Sequence, residues 1–210
     1  MNRIVIVGAG GHGAILADML PAAIGFVDDA PEKQRTIVLG LPVLGPIAAL
    51  ATIDHDAIVV SIGDNRARRG LTDRLIAAGE RLASAIHPTA SIARSATIGE
   101  GSMICAGAII LPRAVIGRGV IVNTKASVDH DSVVGDFAHV SAGATVGANV
   151  GIGEETLVAI GASVVSGRTV GARSVVGAGA VVVRDVPDDV TVLGVPARVT
   201  SDRRSADPSR

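Results

Sequence analysis

Two histidines stand nine residues apart in the segment Val128–His139, together with several acidic residues. His130 lies between Asp129 and Asp131. Carboxylates beside an imidazole stabilise its protonated form and make it a stronger general base. The pattern therefore indicates proton transfer with His130 as the base. We do not expect a metal site, because a catalytic zinc ion commonly needs three protein ligands and this segment supplies two histidines.

A second group of residues is typical of phosphate binding. The loop Gly8–Gly13 has glycine at its first, third and last positions, follows the apolar run Ile4–Val7 and precedes a helical stretch. Asp28 comes twenty residues after the first glycine. Such glycines let the backbone approach a pyrophosphate, and a helix N-terminus favours the anion. We expect a phosphate-containing ligand here. NAD is less favoured, because the unit is about half the size of a full dinucleotide-binding domain and His12 lies inside the loop.

The two histidines lie within a six-residue sequence repeat that covers about half of the chain. From Ile86 to Val182 every sixth residue is Ile or Val, and the fourth residue after each is small or β-branched except at Arg168. A period of six fits neither a helix nor a single amphipathic strand. It predicts a hexapeptide-repeat parallel β-helix, in which three hexads close one coil of about eighteen residues. The Ile and Val side chains point inward, and both histidines then lie at outward or corner positions.

The coil repeat also predicts which residues stack along the rod. Residues eighteen apart fall above one another, which gives two rows of mostly small side chains: Ala142, Ile160 and Ala178 in one row, and Gly143, Gly161 and Gly179 in the other. These rows form a smooth strip beside His139. A long flexible ligand fits along such a strip, with backbone amides as its hydrogen-bond partners.

Residues 1–85 alternate between strand-like and helix-like patterns. We predict strands at Ile4–Val7, Ile24–Val27 and Ala57–Ile62, and helices from the glycine loop to about Leu20, over Pro46–Ala51 and from about Arg66 to Ala78. The expected fold is therefore an α/β N-terminal Rossmann-like half domain, followed over residues 86–187 by an all-β left-handed parallel β-helix. Residues 188–210 form a C-terminal extension, and its polar tail from about Ser201 is expected to be disordered.

Composition excludes several classes of partner. A net charge of −1 argues against nucleic acid or an anionic membrane. No apolar run approaches the length of a membrane span, and the start lacks a signal-peptide pattern, so we expect a cytoplasmic protein. The single Cys105 cannot form an internal disulfide and follows the inward Ile104, so it reads as a packing residue and not a nucleophile.

The motifs of both parts agree in order and spacing with one family. They resemble the sugar O-acyltransferases of the sialic-acid acetyltransferase type and, within them, the bacterial nucleotide-amino-sugar N-acetyltransferases. The resemblance is carried by Ile4–Gly13, Phe26–Asp29, Ile62–Asn65, Ile86–Pro88, His130–His139 and Gly194–Ala197. It implies a homotrimer that binds acetyl-CoA in the groove between adjacent solenoids. It also implies that the N-terminal domain holds a nucleotide-sugar.

The resemblance further assigns roles to single residues. His130 looks like the base and Asp131 like its activating acid, although Glu is more frequent in that place. The residues that look like acetyl-CoA contacts are His139, Ala148, Ile160 and Ala178, and Ala148 stands where Gly can occur. The residues that look like sugar-nucleotide contacts are Gly10, Gly11, His12, Asp28, Asp29, Gly63 and Asn65.

The expected reaction is acetyl transfer from acetyl-CoA to the amine of a nucleotide-linked amino sugar by direct attack, without an acyl-enzyme. His130 takes the amine proton, Asp131 stabilises the imidazolium, and a backbone N–H such as that of Gly143 stabilises the oxyanion. Three alternatives stay open: O-acetylation of sialic acid or a related sugar, an NAD-linked oxidoreductase, and a non-catalytic binding or scaffold protein. The nucleotide carrier, whether UDP, GDP or CMP, is also open.

Overall fold

A computed structural model of the chain describes residues 3–202, which divide between Ile86 and His87 into two compact units. The strands of the first unit are β1 (Ile4–Val7), β2 (Ala23–Val27), β3 (Ile37–Val38), β4 (Leu41–Gly45), β5 (Ala57–Val60) and a final Ala85–Ile86. Its α-helices are α1 (Gly11–Met19) and α2 (Asn65–Ala77), and its 3-10 helices are Pro31–Lys33 and Ile47–Thr52.

The sheet of the first unit has the order β3-β4-β2-β1-β5. Strands β4, β2, β1 and β5 are parallel, whereas β3 is antiparallel to β4. All four residues of β1 are buried, as expected for the central strand of a parallel sheet. The Rossmann-like half domain predicted from the sequence is confirmed. The short helix predicted over Pro46–Ala51 is a 3-10 helix over Ile47–Thr52. The hairpin of β3 and β4 was not predicted.

The second unit is a three-sided left-handed parallel β-helix of two-residue strands. Face 1 consists of Ser91–Ile92, Ile109–Ile110, Ser127–Val128, Thr145–Val146, Ser163–Val164 and Val181–Val182. Face 2 consists of Thr97–Ile98, Val115–Ile116, Val133–Val134, Gly151–Ile152 and Thr169–Val170. Face 3 includes Met103–Ile104, Ile121–Val122, His139–Val140, Leu157–Val158, Val175–Val176 and Val190–Leu193. In faces 1 and 2, each strand pairs in parallel with the strand eighteen residues further on.

The corners between faces follow one backbone pattern. From Ile98 to Val176, the third residue after each inward Ile or Val has a positive φ, for example +65° at Gly143 and +59° at Asp131. The turn at Gly143 is closed by the N–H of Ala144, which donates to the carbonyl of Ser141 at 3.0 Å. A positive φ at this place of a turn suits glycine, and Asn and Asp tolerate it better than most residues. Glycine occupies seven of these fourteen corner positions, whereas Arg113, Lys125 and Phe137 adopt the same φ without that freedom.

The interior of the solenoid is filled by the hexad Ile and Val residues, buried from Ile104 onward. The first coil is more open, because nothing in the solenoid precedes it: Ile92 and Ile98 are half-buried, and Ile86 is 45% exposed, contrary to its predicted inward position. Four interior hydroxyls join successive coils, each donating to a carbonyl and accepting an N–H of the next coil: those of Ser102, Ser132, Thr156 and Ser174.

The last strands close the described part of the chain. Val190–Leu193 pairs with Val175–Val176 in parallel and with Arg198–Asp202 in antiparallel fashion. The disorder predicted from about Ser201 was wrong for Ser201 and Asp202, which belong to this last strand. The rest of that prediction, over residues 203–210, lies outside the described residues. Within residues 3–202, every helix is too short or too polar to span a bilayer.

Candidate active site

The corner between faces 1 and 2 carries His130 and Asp131. The Nδ1 atom of His130 lies 2.6 Å from Oδ2 of Asp131, so this aspartate reaches the ring despite being one methylene shorter than glutamate. The side chains are 46% and 31% exposed. Asp129 does not share this role, because its carboxylate accepts the backbone N–H of His130 at 2.6 Å. One carboxylate therefore serves the imidazole, and the other fixes the turn.

Asp131 is itself held by a cation that the sequence analysis missed. Arg113 donates from Nε to Oδ1 of Asp131 at 2.6 Å and from Nη2 to Oδ2 at 2.7 Å. These hydrogen bonds, followed by the one from His130, hold the pKa of Asp131 far below its usual value. The signal was present in the spacing, because Arg113 and Asp131 are eighteen residues apart and therefore share a corner one coil apart.

The ionised Asp131 settles the tautomer of His130. A carboxylate only accepts hydrogen bonds, so Nδ1 of His130 carries the hydrogen and donates it. The lone pair of the neutral ring is then on Nε2, and this atom has no hydrogen-bond partner among residues 3–202. An oriented, half-exposed imidazole with a free lone pair is suited to act as a general base.

His139 lies elsewhere on the solenoid. It stands in a strand of face 3, where its side chain is buried. Oδ1 of Asn123 accepts the N–H of Thr124 at 2.7 Å, so the amide Nδ2 of Asn123 donates to Nε2 of His139 at 3.2 Å. The corner of His130 is bounded by faces 1 and 2 and is opposite face 3. A single copy of the chain therefore does not bring the two histidines together. The sequence held no signal for Asn123.

The predicted strip forms the corner between faces 3 and 1. The N–H groups of Gly143 and Gly161 donate to the carbonyls of Thr124 and Ala142 at 2.9 and 3.1 Å. Gly143 is therefore not the oxyanion donor suggested from the sequence. The row of Ala142, Ile160 and Ala178 has free N–H groups instead, because these three donors have no acceptor within the described part of the chain. Ile160 is 65% exposed, so this row offers free donors along an accessible corner.

Ala148, predicted to contact acetyl-CoA, does not belong to this strip. It stands eighteen residues after His130 and lies one coil above it at the same corner. Its methyl group is buried, and its N–H donates to Oγ of Ser166 at 3.1 Å. A small residue directly above the base leaves room beside the imidazole.

The glycine loop of the first unit has two kinds of glycine. A Cβ on Gly8 would lie 2.8 Å from Oγ of Ser61, and a Cβ on Gly13 only 2.2 Å from the carbonyl oxygen of Gly8, so both are required by packing. A Cβ on Gly10 or Gly11 would meet no atom within 4 Å. Gly10 is the N-cap of α1 and offers no side chain to its first N–H groups. The loop therefore presents open backbone donors at a helix N-terminus, which suits an anion.

The two aspartates that follow β2 hold the backbone of this loop region. Asp28 accepts the N–H of Ala9 at 2.7 Å with Oδ2 and the N–H of Ala30 at 2.9 Å with Oδ1. Asp29 accepts the N–H of Ile47 at 2.8 Å. Asp28 therefore fixes the shape of the glycine loop, a role that the sequence analysis did not foresee.

His12 and Gly63 are in contact. A Cβ on Gly63 would lie 3.0 Å from Cδ2 and 3.1 Å from Nε2 of the imidazole, so only glycine allows this packing without displacement. Burial, and after it the positive charge of Arg68, lower the pKa of His12. Arg68 also donates to Oδ1 of Asn65 at 2.9 Å. The predicted residues His12, Gly63 and Asn65 thus lie in one neighbourhood, and Arg68 is the member that the sequence analysis missed.

The single cysteine and the side chains that can ligate metals were considered in the sequence analysis as candidates for other chemistry. Cys105 is buried, and burial raises the pKa of its thiol to about 11, so it is not a thiolate near neutral pH. Between Arg3 and Asp202, no group of three or more His, Cys, Asp or Glu side chains is arranged to hold a metal ion.

Known proteins are similar to this chain in sequence and in structure. Residues 3–75 match the family model of the PglD N-terminal domain. The chain is 36% identical over 116 residues to UDP-N-acetylbacillosamine N-acetyltransferase of Bacillus subtilis (strain 168). That alignment covers 50% of this chain and 52% of the other, so the chain spans about half the length of the curated relative that it matches.

Solved structures align over nearly the whole chain. A variant of perosamine N-acetyltransferase from Caulobacter crescentus, in complex with CoA and GDP-perosamine, is 37% identical with a TM-score of 0.91, covering 96% of this chain and 98% of that one. The acetyltransferase domain of PglB from Neisseria gonorrhoeae FA1090, in complex with acetyl coenzyme A, is 39% identical with a TM-score of 0.89, covering 95% and 99%. The chain therefore belongs to the family of sugar acetyltransferases to which these proteins belong.

Proposed function

We propose that the chain transfers the acetyl group of acetyl-CoA to the amine of a nucleotide-linked amino sugar. The observation that carries this proposal is the arrangement of Arg113, Asp131 and His130, which leaves Nε2 of an oriented imidazole free at an exposed corner. Two of the similar proteins named above are N-acetyltransferases, and one of these was solved with CoA and GDP-perosamine.

The reaction follows from this geometry as a direct transfer. The amine nitrogen attacks the thioester carbonyl, and Nε2 of His130 takes the proton that the nitrogen must lose. Asp131 accepts the Nδ1–H of the imidazolium and stabilises its charge. The C–N bond forms, the C–S bond breaks, and His130 returns its proton to the departing thiolate of CoA. Cys105 is a buried thiol and does not serve as a nucleophile, so the transfer is written without an acyl-enzyme.

The site is assembled from two copies of the chain. His130 lies at the corner between faces 1 and 2, whereas His139 and the strip of Ala142 and Ile160 lie on the opposite side of the prism. A homotrimer brings the His130 corner of one protomer against face 3 of the next, as closed cyclic symmetry allows. Acetyl-CoA then runs along the strip, where the free N–H groups of Ala142, Ile160 and Ala178 bind its carbonyl groups.

The first unit, over residues 1–85, holds the nucleotide-sugar. The open backbone at Gly10 and Gly11 and the N-terminus of α1 bind its phosphates. NAD binding is not favoured, because the unit is about half the size of a full dinucleotide-binding domain and His12 lies inside the glycine loop. The amine is favoured over the hydroxyl as acceptor, since the similar proteins of Bacillus subtilis and Caulobacter crescentus are both N-acetyltransferases.

The test is thiol release from acetyl-CoA against UDP-, GDP- and CMP-linked amino sugars and free sialic acid. Protein concentration must be measured without absorbance at 280 nm, because the chain has no Trp or Tyr. We expect turnover with one class of nucleotide-linked amino sugar, and a fall in kcat of about 10²–10⁴ for His130→Ala with little change in KM. Turnover with sialic acid alone, or near-normal turnover of the variant, would contradict the proposal.

A further inference from the structure

Arg68 is a buried cation that the proposed chemistry does not use. It lies in α2, is 1% exposed, and shares the buried face of the helix with Leu71 and Leu75. Burying a guanidinium is unfavourable unless its N–H groups are hydrogen-bonded, and an apolar side chain would fill this place at lower cost. An arginine here therefore points to a role other than packing.

The guanidinium of Arg68 is bonded to the loop that follows β5. Nη1 donates to the carbonyls of Ile62 and Gly63 at 2.9 and 3.2 Å, and Nη2 donates to Oδ1 of Asn65 at 2.9 Å. A planar fork that binds three acceptors at once fixes the loop in orientation as well as in position. The loop Ile62–Asn65 is therefore tied to the core of the first unit through one side chain.

This loop in turn determines where the imidazole of His12 lies. The ring packs against the α-carbon of Gly63, with the place of a missing Cβ 3.0 Å from Cδ2. A shift of the Gly63 backbone would consequently move or release His12. Three residues with expected roles in sugar-nucleotide binding, His12, Gly63 and Asn65, depend on the same guanidinium.

We propose that Arg68 is a positioning residue of the nucleotide-sugar site, which holds the Ile62–Asn65 loop and through it His12 in the geometry that binds the substrate. The inference rests on the proposed function, in which the first unit binds a nucleotide-linked amino sugar. Arg68 itself is buried and does not touch the substrate.

The charge of Arg68 adds a second, separable effect. Burial and then Arg68 lower the pKa of His12, so the ring is neutral near pH 7 and offers one N–H and one lone pair to a ligand. Lysine at position 68 would keep the charge but lose the fork, whereas methionine would lose both. The two substitutions therefore distinguish orientation from charge.

The experiment compares Arg68→Lys and Arg68→Met with Arg74→Met, which removes an exposed arginine from the last turn of the same helix. We expect both Arg68 variants to raise the KM for the nucleotide-linked amino sugar by about ten-fold or more, with the KM for acetyl-CoA unchanged. Arg74→Met should leave both constants at their wild-type values. NMR titration of His12 should show its pKa raised in Arg68→Met and still low in Arg68→Lys.

A folded Arg68→Met protein with a wild-type KM for the nucleotide-sugar would overturn the proposal, as would an equal rise in both KM values. If neither variant folds, Arg68→Gln takes their place, because it keeps a planar donor but loses the fork; a wild-type KM for the nucleotide-sugar in that variant would contradict the proposal. Failure of the proposed function looks different. Without turnover, calorimetry with UDP and GDP replaces the KM measurement, and wild-type binding that both Arg68 variants weaken would still support the positioning role.

Discussion

The substitution Asp131→Asn tests the shared use of one carboxylate by the guanidinium of Arg113 and the imidazole of His130. Oδ2 of Asp131 lies 2.6 Å from Nδ1 of His130 and 2.7 Å from Nη2 of Arg113, while Oδ1 accepts a second bond from Arg113. An asparagine has a single acceptor oxygen, and Arg113 competes for it. The NH₂ group then turns toward His130 and donates to Nδ1, which moves the ring hydrogen to Nε2 and removes the base.

The expected loss in kcat for Asp131→Asn is therefore close to that of losing the base, about 10²–10⁴. Charge adds to the effect, because the nitrogen atoms of Arg113 and His130 are no more than about 5 Å apart. Once the carboxylate is neutral, repulsion between two unit charges at that distance disfavours the imidazolium by at least about four-fold, even with the dielectric constant of water.

This reasoning makes the double variant more active than the single one. Adding Arg113→Met to Asp131→Asn removes the competitor and the repelling charge, so kcat should recover by at least about four-fold. Arg113→Met alone, which keeps the contact between Asp131 and His130, is the control and should lose much less activity than Asp131→Asn. Steady-state thiol release at saturating substrates measures all four proteins. Equal kcat values for the single and double variants, or additive losses, would refute the reasoning.

Three further predictions concern assembly, the solenoid core and pH. Mixing unfolded His130→Ala and His139→Ala chains and refolding them together should restore roughly one quarter of wild-type activity. Each site takes His130 from one protomer and His139 from the next, and random assembly makes both intact at about one interface in four. Activity no higher than that of the two separate variants would exclude a shared site. Thr156→Val should lower the free energy of unfolding by about 2–4 kcal/mol in urea denaturation, because the buried Gly171 carbonyl and Ser174 N–H lose their hydrogen-bond partner. Thr156→Ser keeps the hydroxyl and should stay close to wild type. Equal losses in the two variants would show that the effect comes from packing. Burial opposes the charge of His55, but the Ile53 carbonyl and the Glu80 carboxylate outweigh it and raise the pKa of His55. The protonated His55 therefore adds to the free energy of unfolding below about pH 6.5, and this addition is lost as the pH rises through the folded-state pKa. Glu80→Gln should make the free energy of unfolding depend less on pH in that range. An unchanged dependence on pH would contradict the assignment.

The repeat allowed much of the solenoid to be predicted from the sequence. A fixed period of six determines which residues point inward and which share a corner, and both are local properties of the chain. The pairing of His130 with Asp131 was also readable, because the two residues are adjacent. Arg113 follows from the same period but was overlooked.

Other features depend on tertiary contacts that no local pattern encodes. Arg68 reads as one of several basic residues in the predicted helix from about Arg66 to Ala78 until the fold shows that its guanidinium is buried and bonded to the loop Ile62–Asn65. The engagement of the Gly143 N–H with Thr124 similarly appears only when successive coils are in register. The roles of the predicted site residues, the trimer and the cytoplasmic location stay predictions.

The chemical identity of the product tests the central claim most directly. Wild-type protein and His130→Ala are incubated with acetyl-CoA labelled in the acetyl group and with the nucleotide-linked amino sugar that supports turnover, and the product is analysed by mass spectrometry before and after hydroxylamine treatment. We expect a nucleotide-sugar that carries one labelled acetyl group, resists hydroxylamine as an amide does, and is nearly absent with His130→Ala. A product that hydroxylamine cleaves would be an ester, and either that result or equal product from the variant would contradict N-acetyl transfer with His130 as the base.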